Sequence, residues 1–190
     1  MNERPLLLGT LVGATGGLVF VLANTHAPLN AAESVVLRIL AVAVLAVLVA
    51  LSLFAGRHTT GERGPAGDEA SWFGRKFWLI VAAELVLFQL GFQLLRVLGA
   101  PPESRVAWIA VVVGLHFVAF ARLWRAPSMA LLGAVVFALG AAGLALSATS
   151  AVDWTPIVSG VMSGFVLLTG CLTAVIGVAM PKDGLAPRCS

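Results

Sequence analysis

Residues 75–99 read RKFWLIVAAELVLFQLGFQLLRVLG, and the reading of this stretch decides the fold. About 20 apolar residues at 1.5 Å of rise each cross a bilayer. Arg75 and Lys76 stand at one end and Arg96 near the other, while Glu84, Gln89 and Gln93 interrupt the apolar run. A soluble domain does not need so long an apolar helix. A helix that only anchors a protein does not carry a carboxyl group at mid-depth, where a charge costs about 2.5–3.5 kcal/mol on insertion scales. The stretch is a membrane-spanning helix with polar work to do.

The rest of the chain agrees. It has 190 residues, 59% hydrophobic and 11% charged, with a mean hydropathy of +1.00. Soluble domains carry about 25% charged residues, so lipid replaces water as the solvent here. Six spans follow, at about Pro5–Ala23, Glu33–Gly56, Arg75–Leu98, Arg105–Ala121, Pro127–Ser147 and Pro156–Met180. The expectation is an all-α, polytopic membrane protein: a six-transmembrane-helix bundle forming a single membrane domain over residues 1–190. The apolar run Leu6–Ala23 exceeds the 7–15 residues or so of a signal-peptide core, so it reads as a retained first span. Arg57–Ser71 (RHTTGERGPAGDEAS) reads as a flexible cytoplasmic loop and residues 181–190 as a tail. Arg122–Ala126 reads as a tight basic turn.

Charge sets the expected orientation. Arg4, Arg57, Arg63, Arg75, Lys76, Arg122, Arg125, Lys182 and Arg188 collect on one side, nine in all, against Arg38, Arg96 and Arg105 on the other. Basic residues favour the cytoplasmic face, which puts both termini there. A net charge of +3, from 12 basic and 9 acidic residues, is too small and too dispersed for a nucleic-acid partner. Cys171 and Cys189 show no metal-site or disulfide spacing and read as a core residue and a tail thiol. There is no P-loop, aspartate-rich diphosphate motif, HExxH, GxSxG or CxxC, so neither a metal nor another cofactor is expected.

Candidate chemistry rests on a few intramembrane groups. Glu84 lies roughly 13 Å, and His116 roughly 9 Å, from the cytoplasmic ends of their spans at 1.5 Å per residue. The short connection between spans three and four favours their meeting. Glu84 is a candidate general acid and His116 its partner, each with a structural alternative as a helix-to-helix bond. Glu84 shares a face with Leu87, Phe88 and Gly91, whereas Gln89, Gln93 and Arg96 form a stripe nearly opposite. Two polar stripes suggest a helix wedged inside the bundle. Asp153 is either a second acid or the N-cap of the last span. Arg38 lies one turn inside its span, where a charge should snorkel or pair; Arg96 and Arg105 read as snorkelling residues. With 10 Phe, 5 Trp and no Tyr, the aromatic faces suit a cation. Phe88, Phe92, Trp108, Phe117 and Phe120 are candidates for a pocket beside Glu84 and His116, while Phe73, Phe77 and Trp78 read as membrane-belt residues.

An acid in span three and the run Gly114-Leu115-His116-Phe117 in span four resemble the small bacterial integral-membrane terpene cyclases of drimentine-type sesquiterpenoid pathways. That resemblance implies a multi-pass protein of the bacterial inner (plasma) membrane. It implies proton-started cyclisation of a farnesyl chain on an indole or diketopiperazine acceptor, so the partner is a lipophilic prenylated small molecule. Fungal membrane terpene cyclases, which are longer, use two carboxylates, and by analogy with them Glu84 and Asp153 would be the acid pair, with His116 as the third catalytic candidate; Arg38, Phe88, Gln89, Phe92, Gln93, Trp108 and Phe117 are the candidate substrate-site residues. Two other readings stand beside it. One is a small-solute transporter or channel, lined by Gln89, Gln93, Arg38 and His116 and built as a homo-oligomer. The other is a non-catalytic immunity or assembly protein in which Glu84 and His116 lock helices.

Overall fold

A computed structural model of the protein describes residues 3–58 and 74–179. These form six helices and no strand: α1 (Glu3–Asn24), α2 (Ala31–His58), α3 (Arg75–Val97), α4 (Ser104–Trp124), α5 (Pro127–Ser147) and α6 (Ser163–Ala179). A π-helical segment, Pro156–Met162, leads directly into α6. Among the described residues, five helical segments are long and apolar enough to cross a membrane, and α1 adds the shorter apolar stretch Gly9–Asn24. The expected loop and tail lie outside the described residues, except for Arg57 and His58, which still belong to α2.

The first core joins α1, α2 and α6 through Ala14, Val21, Ala41, Leu48, Leu168, Cys171 and Val175. The second joins α4, α5 and α6 through Ala110, Val136 and Leu167, with Phe20 of α1 and Phe117 packed against it. Helices in lipid associate by close packing of small residues. Accordingly, a Cβ on Gly114 of α4 would lie 2.7 Å from the Gly133 carbonyl of α5, and the reverse contact is equally tight. Of the glycine stripe in α1, Gly17 crosses Gly164 of α6, Gly13 faces Cys171, and Gly9 faces open space.

Helix ends explain several polar residues. Asn30 and Glu33 form a reciprocal capping box at the start of α2: each backbone N–H donates to the other's side chain at 2.9 Å. That arrangement satisfies two otherwise orphaned donors. The basic turn after α4 is shorter than its sequence suggests. The helix continues through Arg122 to Trp124, and only Arg125, at φ 54°, and Ala126 make the reversal. Asp153 does not cap the last span. It lies in a short 3-10 turn, Val152–Trp154, and makes no capping bond; Thr155 and Pro156 begin the following helix.

The main difference from expectation concerns α3. It packs along α4 and, among the described residues, makes no other extensive helix contact. Only 6% of its span is buried, against 44% for the segment through α6. Its outer side bears Leu79, Leu85, Val86, Leu90 and Leu94, all more than half exposed. Those residues suit lipid, so the two polar stripes belong to an outermost helix rather than a wedged one.

Candidate active site

Phe77, Glu84, Phe88 and Gly91 recur at spacings of seven, four and three residues, so they share the face of α3 that meets α4. Across the seam, α4 presents Trp108, Val112, His116 and Phe120 at spacings of four. Gly91 is what lets the two helices close. The Trp108 indole lies where a Gly91 side chain would begin, and its Nε1–H donates to the Leu87 carbonyl at 3.1 Å. Without a Cβ at Gly91 the ring can come close to the α3 backbone.

The next polar contact after this clasp lies further along the same seam. Glu84 Oε2 lies 2.7 Å from His116 Nδ1, and both side chains are 18% exposed. The approach is close but lies off the line of a ring N–H bond, since Nδ1 is buried without an aligned hydrogen-bond partner. The pair is therefore a close contact between two ionisable side chains, one from each helix. No other ion pair forms among the described residues.

Aromatic rings continue the seam beyond the pair. The imidazole stands edge-on to Phe120, with centroids 4.2 Å apart. Phe120 stacks on Phe77 of α3 at 5.2 Å and on Trp124 at 4.6 Å. A carboxyl, an imidazole and three stacked rings thus line one helix–helix seam at the rim of the bundle. Phe77 was expected in the membrane belt. Its position seven residues before Glu84, on the same face, is the signal that places it here. Trp78, one residue on, points outward and is 62% exposed.

The other candidate residues disperse. Phe117 points toward α1, where it meets the space beside Gly13. Trp108 is engaged in the clasp. Phe88 stacks on Phe92 at 6.2 Å. Gln89, Phe92 and Gln93 line a separate groove with Arg96 and Arg105. Arg38 lies on α2 and ties down the end of α1, its Nε donating to Thr25 Oγ1 at 2.7 Å and its Nη2 to the Thr25 carbonyl at 2.8 Å.

Glu84 and Asp153 do not form the expected acid pair. Asp153 is exposed in the α5–α6 connection, at the end of the bundle where α3 finishes. Glu84 lies 13 residues before the end of α3, about 20 Å of helical rise away. Among the described residues no three His, Cys, Asp or Glu side chains gather into a metal-binding group. No family model, no curated protein and no solved structure matches the chain.

Proposed function

We propose that Glu84 acts as a general acid on a lipophilic guest that reaches the α3–α4 seam sideways from the bilayer. The observation carrying this reading is the Glu84–His116 contact at 2.7 Å, partly exposed and continuous with the Phe120–Phe77–Trp124 stack. A carboxyl beside a base can release a proton and recover it. Because α3 is outermost, the guest need not cross water.

The chemistry that fits is cyclisation of a farnesyl-type chain carried on an acceptor such as an indole or diketopiperazine. The carboxyl O–H protonates an alkene carbon, and the positive charge moves to the neighbouring carbon. Ring closure follows as a second alkene attacks. Ring faces stabilise a nearby cation, and loss of a proton to Glu84 or His116 ends the reaction. One proton enters and one leaves, so the net change is an isomerisation with no metal. The choice of substrate rests on the family resemblance of Glu84 and the Gly114–Phe117 run. In this reading the protein lies in the bacterial plasma membrane with both termini cytoplasmic, which the distribution of basic residues favours. An Asp153→Cys variant in a Cys189→Ser background would then react with a membrane-impermeant maleimide added outside whole cells.

The test is turnover of a farnesylated indole in membranes. Glu84→Gln should abolish product while leaving the helical content intact; full turnover by that variant contradicts the reading. A second, non-catalytic reading is favoured by the Trp108–Gly91 clasp beside the pair, which makes Glu84–His116 a second fastener. It prevails if alanine at both positions lowers the melting temperature and the wild-type protein turns nothing over.

A further inference from the structure

A groove of about 290 Å³ opens on the flank of α3, lined by Gln89, Phe92, Gln93, Arg96 and, from α4, Arg105. It is distinct from the Glu84 seam, since Gln89 and Gln93 lie on the opposite side of α3 from Glu84. We propose that this groove binds a phosphate group, supplied by an anionic phospholipid at the membrane border.

The argument begins with charge. Arg96 is in the last turn of α3 and Arg105 in the first turn of α4, so the chain reversal brings two guanidinium groups to one groove. Neither has a carboxylate or hydrogen-bond partner among the described residues. Glu103 is close in sequence, at the N-cap of α4, yet pairs with neither. Arg105 also faces the positive end of the α4 dipole, where a cation is unfavourable. Two like charges converging without a counter-charge leave an excess that an anion would neutralise. Guanidinium matches phosphate oxygens in bidentate geometry, and the Gln89 and Gln93 amides add neutral donors.

The surroundings favour lipid as the source. Leu90, Leu94, Val97 and Leu98, in the last turns of α3 and just after it, are each 55–83% exposed. Acyl chains can lie along them while the headgroup enters the groove. A volume of about 290 Å³ is near the lower limit of small-molecule pockets and suits a headgroup phosphate with its first carbons.

The test titrates the detergent-solubilised full chain with a short-chain phosphatidylglycerol and, separately, with inorganic phosphate. The expected result is saturable lipid binding and no comparable binding of inorganic phosphate. Arg96→Gln and Arg105→Gln should each weaken lipid binding about fivefold, and together about twenty-five-fold, as the loss of one surface cation each predicts. Both side chains are exposed, so the single variants carry the test should the double variant fold poorly. Arg122→Gln, at the other end of α4 and exposed, should bind as wild type does. Inorganic phosphate binding with the same arginine dependence supports the site with a soluble source. No binding of either probe, or binding unchanged in both single variants, overturns the proposal. Glu84→Gln should bind phosphatidylglycerol normally, which keeps this result separate from the fate of the seam.

Discussion

Glu84 of α3 and His116 of α4 approach to 2.7 Å across a seam that no other ion pair joins among the described residues. The Trp108–Leu87 bond joins the same two helices, with Leu87 three residues from Glu84. Together these contacts fasten an outermost helix to the bundle, so the pair has structural as well as chemical consequences.

Removing either member should therefore weaken the α3–α4 interface. Glu84→Ala and His116→Ala should each destabilise the purified protein, and a double-mutant cycle should return a coupling of about 0.6 kcal/mol, the mean for polar contacts between transmembrane helices, and no more than about 1.7. Thermal unfolding in detergent measures it. Additive effects would show that the contact carries no stability.

Gly91 is the position where a small change should do most harm. An alanine there meets the Trp108 indole and must push the ring off the Leu87 carbonyl. Overpacking of this kind costs about 1–3 kcal/mol. Trp108→Phe loses the hydrogen bond, about 1 kcal/mol, and with the five-membered ring the packing against Gly91. Gly91→Ala and Trp108→Phe should each lower the melting temperature, read by thermal unfolding in detergent.

Two serines near the π-helical segment should respond oppositely. Ser159 Oγ donates to the Leu139 carbonyl at 3.0 Å and fills the space beside Gly143. Ser163 Oγ is buried with no partner. Ser159→Ala should destabilise by about 1 kcal/mol, and Ser163→Ala should be neutral or stabilising, since an unmet polar group is removed. Parallel melting curves of the two variants check this.

Arg38 should prove structural. Its guanidinium holds Thr25 through two bonds of 2.7 and 2.8 Å, and charged hydrogen bonds are worth about 1.5–3 kcal/mol. Arg38→Ala should lower stability, and Thr25→Val, which removes only the hydroxyl partner, should lower it less. Turnover per folded molecule should be unchanged in both.

Helices were legible in the sequence because apolar run length and interrupting polar residues are local properties. The spans differ from the helices by at most a few residues, as at Arg122–Trp124, where α4 outlasts its apolar stretch. The Glu84–His116 meeting was also legible, from depth and the short connection. What escaped was lateral placement. A polar stripe on each side of α3 looks the same whether the second stripe meets another helix or borders a groove, and only the packing of Gly91 against Trp108 decides. Asp153 misled because Asp before a Pro-led helix resembles a cap, whereas the chain winds a 3-10 turn there. Phe77 escaped because an aromatic ring near a helix start suits the membrane border equally well.

The most direct test of the account is the fate of the proton. Membranes containing the full chain are given a farnesylated indole in heavy water, and the cyclised product is weighed by mass spectrometry. The account predicts a product carrying one deuterium on the carbon that was first protonated, and none of that product from Glu84→Gln. Cyclised product without deuterium, or equal deuterated product from Glu84→Gln, would contradict it.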